Sequence, residues 1–293
     1  MADVKQGLRA ALLGMGINLT LAAIKVTAGV MGNSYALIAD GIESSADIVS
    51  SMIVWSGLKV SVRPADEDHP YGHGKAESLA GLVVALALLG AAVLIAVQSM
   101  AEIRTPHLAP AWYTLLVLVL VIVTKWLLSR FVLKTAENLE SGALKGDGWH
   151  HMSDALTSAA AFVGISISLI AGKGYESADD WAALLACGVI AFNGLNLVRA
   201  SVGELMDVAP PASFREAIRE RAAGVEGVKR IEKCLVRKYG LGYVADLHVE
   251  VDGEISVREG HRIAHMVKGR LIESDLKIRD VLVHVEPERV VQA

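Results

Sequence analysis

The amino-acid sequence predicts a polytopic α-helical membrane protein with six transmembrane helices, followed by a small cytoplasmic α+β domain. Three observations carry that prediction. The 293-residue chain is 53% hydrophobic and only 20% charged, with a mean hydropathy of +0.44. Nearly all of the apolar excess lies before about residue 203, in blocks of roughly 20 residues or more, the length that crosses a bilayer core. After Pro210-Pro211 the composition becomes that of an ordinary soluble domain. The net charge of −4 gives no reason to expect nucleic acid as a partner. The two cysteines, Cys187 and Cys234, make neither a disulfide framework nor a CxxC metal motif. The first apolar run is too long for a signal-peptide core and has no convincing cleavage site, so it reads as a retained span.

Taken in order, the spans are expected at about residues 8–31, 35–60, 77–104, 112–134, 146–172 and 180–203. "GNSY" joins the first two and leaves room only for a tight hairpin. The polar run "SVRPADEDHPYGHGK" joins the second and third. Lys5, Arg9, Lys59, Arg63, Lys75, Arg130, Lys134 and Lys145 all fall on one side of such a bundle, whereas the opposite loops offer chiefly Arg104 and Lys173. The positive-inside rule then puts the N-terminus, and with six spans the C-terminus, in the cytoplasm. The expected domains are residues 1–208 in the membrane and 209–293 in the cytoplasm. With no targeting segment, a cell (inner) membrane is the expected host.

The tail reads as helix, strand, strand, helix, strand. "SFREAIRERAAG" is a short amphipathic helix with Ser213 as its expected cap. "VKRIEKCLVRKYG" and "GYVADLHVEVDG" alternate polar and apolar residues and form a hairpin pair. "SVREGHRIAHMVKGRLIES" has a helical period, and "RDVLVHVEPE" is a last strand. An αββαβ, ferredoxin-like α+β domain of about 80 residues buries little surface alone, so packing against a second copy is expected.

An internal repeat points to chemistry. "DGIESSADIVSS" (40–51) and "DGWHHMSDALTS" (147–158) both open with Asp-Gly, repeat Asp seven residues on, and end with Ser. Each therefore carries Asp-x-x-[Glu/His]-x-x-x-Asp. Offsets of three, four and seven return to one face of a helix, so Glu43 with Asp47, and His150 with Asp154, form two pairs one turn apart. Ionisable groups in a span face the bundle interior or a water-filled path. Three carboxylates and one imidazole make a four-ligand O/N set suited to Zn²⁺, and one that also admits Fe²⁺, Co²⁺ or Mn²⁺. A proton relay, or paired structural polar groups without metal, are the alternatives. Asp40 and Asp147 are expected to line the approach or to bond the ligands, not to bind metal directly.

Two further clusters stand outside the spans. The loop carries Asp66, His69 and His73 in "DEDHPYGH". The tail carries His248 and His284 on strands, His261 and His265 on a helix, and Glu286 two residues beyond His284, so that His284 and Glu286 share a strand face.

The chain resembles the cation diffusion facilitator family of dimeric divalent-metal exporters along essentially its whole length. The likeness rests on the paired motifs in spans two and five, on "RPADEDHPYGHGKAESLAG" (63–81), and on "ADLHVEV … EGHRIAHMV … VLVHVEPE". The resemblance implies that Glu43, Asp47, His150 and Asp154 form the transport site and that metal moves outward against protons. Glu43 departs from the His or Asp more common there, which leaves the preferred metal open. It further implies a loop metal site at Asp66, His69 and His73. It implies regulatory metal across a dimer interface at His248, His261, His284 and Glu286, with Glu232 a weaker candidate. Lys75 and Asp207 would form a charge interlock between protomers.

The expected function is efflux of a divalent transition metal, Zn²⁺ or Fe²⁺ foremost, with Mn²⁺, Co²⁺ and Cd²⁺ also admitted, by metal/proton antiport in a homodimer. Its partners would be metal ions, protons, the lipid bilayer and a second copy, with no cofactor beyond the divalent metal. A membrane-anchored metal sensor signalling through its C-terminal domain is the alternative. An enzyme is not expected: no Ser/His/Asp or HExxH pattern occurs, and the nearby ionisable groups are taken up as ligands.

Overall fold

The computed structural model describes residues 2–31, 35–104, 113–171 and 178–288. It divides into two compact units, Met1–Val202 and Gly203–Ala293.

Six long helices belong to the first stretch of chain: α1 (Ala2–Met31), α2 (Tyr35–Ser61), α3 (Lys75–Arg104), α4 (Thr114–Leu139), α5 (Gly142–Ala171) and α6 (Ala178–Leu205). All seven prolines lie outside them, at 64, 70, 106, 110, 210, 211 and 287. Nothing therefore interrupts the helical hydrogen-bond ladder where water cannot replace it. Large apolar side chains such as Leu86, Leu94, Leu116, Leu127, Leu185 and Leu195 project outward, as a lipid-facing surface requires. Among the described residues, three stretches are long and apolar enough to cross a membrane: Lys5–Lys25, Lys75–Ala101 and Leu115–Leu139. The "GNS" joining α1 to α2 lies outside the described residues.

Close approach does much of the packing, as expected where lipid removes the hydrophobic drive between helices. At Gly57 of α2, a Cβ would stand 2.3 Å from the Ala80 Cβ of α3. Ala85, Leu88 and Ala92 of α3 pack with Ile190 and Leu197 of α6, and Trp149 of α5 closes the cluster.

The joint between α4 and α5 is tighter than the sequence reading, which ended the fourth span near 134 and began the fifth near 146. Glu140 adopts a left-handed conformation (φ 55°, ψ 36°) and caps α4 by returning its N–H to Ala136 and Glu137 carbonyls. Two residues later α5 begins. Its start is satisfied from a distant helix. The buried Glu77 of α3 accepts hydrogen bonds on one oxygen from Ser141 Oγ (2.7 Å) and the Ala143 amide (3.0 Å), and Ser141 Oγ accepts from the Leu144 amide (3.2 Å). Orphan amides at a helix start are thus paired without water.

The C-terminal unit comprises α7 (Ala212–Ala223), β1 (Arg230–Tyr239), β2 (Gly242–Val251), α8 (Val257–Ile272) and β3 (Ile278–Pro287). The sheet order is β1-β2-β3, with β1/β2 antiparallel and β2/β3 parallel through the α8 crossover. This is the expected αββαβ domain. Gly240 takes φ +60° in the two-residue turn between β1 and β2, a conformation glycine adopts without strain. Ala245, Leu247, Val249 and Val251 of β2 pack with Ile218 of α7 and with Ile263, Val267 and Leu271 of α8. By strand alternation the opposite face carries Asp246, His248 and Glu250. One expectation fails: Ser213 does not cap α7. Pro211 occupies the cap position, and its carbonyl accepts from the Phe214 and Arg215 amides, so the helix begins before Ser213.

Candidate metal centres

Of the transmembrane candidates, the structure describes the side chains of those on α5. Of the residues on α2, Asp40, Glu43 and Asp47 have side chains that lie outside the described residues. Ser51, one turn beyond Asp47, is described and fully buried. Its hydroxyl donates to Asp147 Oδ1 of α5 at 3.0 Å. The repeat motifs of α2 and α5 therefore meet at their neighbouring turns. Asp147 is wholly buried, and its second oxygen lies 3.7 Å from His151 Nε2. His150 is half-buried beside it, with the two imidazole centroids 5.9 Å apart. At the far end of the motif, Asp154 Oδ2 lies 2.7 Å from Lys125 Nζ of α4.

Two buried polar residues of the spans, Lys125 and Asn18, escaped the sequence reading. Lys125 is 1% exposed, within the apolar "LLVLVLVIVTKWLL" of α4. Asn18 of α1 is fully buried, and neither its side-chain oxygen nor its nitrogen has a hydrogen-bond partner among the described residues. Gly14 of α1 leaves room for His151, since a Cβ there would stand 3.2 Å from His151 Nε2. The usable signal was a polar or charged residue inside an apolar run, applied to every span and not only to the repeated motif.

The loop after α2 brings Asp66, His69 and His73 together. His69 Nδ1 lies 3.1 Å from Asp66 Oδ1, and His73 Nε2 lies 3.4 Å from Asp66 Oδ2. One ligand atom from each of the three lies within 4.8 Å of the others, close enough for a single ion to reach all three. His73 Nδ1 lies 3.2 Å from the Pro64 carbonyl. A carbonyl only accepts, so that contact suits an Nδ1–H donor and leaves Nε2 as the ring nitrogen facing Asp66. The hydrogen bond from the His69 amide leads the causes that hold the Asp66 carboxyl below its ordinary value.

The third cluster lies on the open face of the C-terminal sheet. His248 and His284 are register partners on β2 and β3, with ring centroids 4.9 Å apart. His248 Nδ1 is hydrogen-bonded to Glu286 Oε1, and His284 Nε2 lies 3.6 Å from the same oxygen. One ligand atom from each of the three lies within 4.8 Å of the others. Glu232 stands 3.7 Å from His248, and local geometry explains why. The β1/β2 register shifts between Ile231 and Lys233, and such a bulge sets two residues opposite one and re-aims a side chain. Desolvation is the largest single influence on the Glu286 carboxyl and pushes it up, but the hydrogen bond and charge of His248, the Glu232 hydrogen bond and the charge of His284 together leave the group below its ordinary value. His261 is not brought into this cluster. It is exposed on α8 with its ring 4.5 Å from that of His265. Cys234 is also no part of it, being buried in the core with its thiol pushed up by desolvation. Lys75 opens α3, and Asp207 follows α6 at φ +58°.

Comparison with known proteins gives consistent results. Residues 11–206 match the family model described as the cation efflux transmembrane domain, and residues 210–288 match that of the cation efflux protein cytoplasmic domain. An uncharacterised transporter of Methanocaldococcus jannaschii is 33% identical over 98% of this chain and 99% of its own length. The manganese efflux system protein MneP of Bacillus subtilis is 29% identical over 95% of each chain. Metal tolerance protein C1 of Arabidopsis thaliana is 30% identical over 94% of this chain and 61% of its own length.

Proposed function

Because the chain belongs to the cation diffusion facilitator family, as a multi-pass divalent-metal efflux transporter, we propose that it is a homodimeric metal/proton antiporter whose transport site is Glu43, Asp47, His150 and Asp154. The observation that carries this reading is the Ser51–Asp147 hydrogen bond, which joins the two repeat motifs. Stepping along both helices from that contact reaches Asp47 and Glu43 on α2, and His150 and Asp154 on α5. Two candidate ligands on each of the two helices make up the proposed set. With six spans and the Lys/Arg bias of the loops, both termini would lie in the cytoplasm, in a cell inner membrane. The Lys75–Asp207 interlock ties protomers together in the dimer.

Loading requires deprotonated ligands, so an ion entering from the cytoplasm displaces protons, and reprotonation from the far side favours release. His150 is the natural proton carrier because imidazole titrates near neutrality. The donor set has three oxygens to one nitrogen, which suits Mn²⁺ and Fe²⁺ as well as Zn²⁺; the manganese efflux named for the Bacillus relative agrees with the hard end of that range. Asp147, bonded to Ser51, orients the ligand helix without binding metal. The loop cluster and the sheet cluster are accessory sites. Metal at His248, His284 and Glu286, completed by His261 of a second copy, would tighten the dimer and favour the inward-open state.

The test is flux in proteoliposomes under an imposed pH gradient, across Mn²⁺, Fe²⁺, Zn²⁺, Co²⁺ and Cd²⁺. Wild type should move at least one of these ions, and His150→Ala and Asp154→Ala should each abolish gradient-driven flux. Full flux in His150→Ala would show that the transport site has been misassigned. Removing residues beyond 208 should leave residual flux, which a pure sensor would not possess.

A further inference from the structure

Lys125 has no role in the reading above, yet it touches one of its ligands. It sits eleven residues into α4, within the Leu115–Leu139 span, where an uncompensated ammonium is costly. Its side chain is 1% exposed, and its Nζ lies 2.7 Å from Asp154 Oδ2, the length of a charge-assisted hydrogen bond. We propose that Lys125 is a tethered cation of the transport site. In this role it holds Asp154 in the metal-free state and must yield to, or share Asp154 with, the incoming ion. The proposal rests on the transport-site reading and adds a determinant of affinity and valence to it.

The charge count gives this arrangement its meaning. Glu43, Asp47 and Asp154 contribute three negative charges and His150, as a ligand, none. A divalent ion leaves one negative charge over, which the Lys125 ammonium neutralises. Counting the four proposed ligands and Lys125, and leaving aside Asp147, which is bonded to Ser51, the set balances a 2+ ion and is one charge out with a 1+ or a 3+ ion. In a low-dielectric interior such a mismatch is strongly unfavourable. The lysine also limits affinity. If the metal takes Asp154 Oδ2 it breaks the 2.7 Å contact, and if it takes the other oxygen it stands within a few ångströms of a like charge. An exporter must release its cargo, so a built-in competitor that weakens binding favours turnover.

The experiment uses the full-length protein in detergent and proteoliposomes, with Mn²⁺ as probe. Lys125→Gln should bind Mn²⁺ roughly tenfold more tightly than wild type or better, equivalent to ~1.4 kcal/mol, and should release it more slowly, lowering flux at saturating metal. It should also gain binding of the trivalent ion Tb³⁺, read by luminescence. Lys125→Arg keeps the charge and should bind Mn²⁺ nearly as wild type does. If Lys125→Gln unfolds without metal, rescue by Mn²⁺ supports the proposal and failure of rescue overturns it. Unchanged or weaker Mn²⁺ binding in a folded Lys125→Gln also overturns it, and the transport-site reading stands if Asp154→Ala still abolishes binding. If Asp154→Ala binds and transports as wild type does, it is the transport-site reading that fails.

Discussion

Glu77 offers a direct test of how α5 is positioned. Its one oxygen receives the Ser141 hydroxyl at 2.7 Å and the Ala143 amide at 3.0 Å, all three residues being buried. Glu77→Ala leaves both donors without this acceptor in a region closed to water. A stranded buried amide costs about 1–3 kcal/mol. The hydroxyl can rotate and costs less, about 1 kcal/mol. Losing a buried carboxylate recovers part of its own desolvation, so a net loss of about 2–3 kcal/mol is expected. At roughly 2–4 °C per kcal/mol for a unit of this size, the melting temperature should fall by about 5–10 °C. Glu77→Gln keeps an acceptor oxygen and should lose less than half as much. Thermal unfolding of the detergent-solubilised protein, followed by Trp fluorescence, measures all three proteins. A double-mutant cycle with Ser141→Ala should show coupling of about 1 kcal/mol, because the two side chains share one bond. Equal melting of Glu77→Ala and wild type, or strict additivity in the cycle, would refute the capping argument.

Two more outcomes follow from particular contacts. A Cβ at Gly57 would stand 2.3 Å from that of Ala80, well inside van der Waals contact, so Gly57→Ala must drive α2 and α3 apart, at a cost of about 1–3 kcal/mol. Ala80→Gly should restore much of the lost melting temperature in the double variant, and a failure to do so would show that the clash is absorbed elsewhere. In the C-terminal unit, Asp275 bonded by Arg221, Asp280 bonded by Lys268 and Glu259 bonded by Arg262 are all held below their ordinary values of 3.8, 3.8 and 4.5. A depressed carboxylate stabilises the fold above its unfolded value and loses that contribution as pH falls through its folded value. Hydrogen exchange of residues 212–288, corrected for intrinsic rates, should therefore hold steady from pH 7 to about 5 and accelerate below about 4. Unchanged protection at pH 3 would contradict this.

The sequence shows the elements well because their signals are local. Apolar runs without proline mark the long helices, and alternation with a glycine turn marks β1 and β2. The i, i+3, i+4, i+7 spacing of 147, 150, 151 and 154 on α5 can likewise be read without a structure. What cannot be read are partners far away in the chain. Glu77 is 66 residues from the amide it caps, so "SGALKG" reads as loop when it is in fact the start of α5. Lys125 and Asp154 are 29 apart, and no pattern links them. Ser213 was misplaced for a different reason. A proline carbonyl can start a helix with no side-chain cap, and a preference for Ser at that position cannot detect it. The loop and sheet clusters lie between these limits. Asp66, His69 and His73 are close in sequence, whereas joining His248 to His284 needs the parallel β2/β3 register.

The polar contacts of the membrane unit share a common element. Glu77 of α3 holds the start of α5, Ser51 of α2 holds Asp147, Ser129 of α4 donates to the Gly148 carbonyl at 2.8 Å, and Lys125 of α4 holds Asp154. Gly14 of α1 makes room for His151. Polar groups are costly at membrane depth unless paired, and here α5 takes contacts from four neighbouring helices at successive turns. The helix that carries two proposed ligands is thereby held in rotation and depth by bonds that do not involve the metal. Such a helix can present His150 and Asp154 before an ion arrives, so binding need not order the ligands first. The Lys125–Asp154 contact differs from the other bonds named here, because it engages a proposed ligand atom. Under the proposed transport site, loading would act on the tie between α4 and α5 at Asp154.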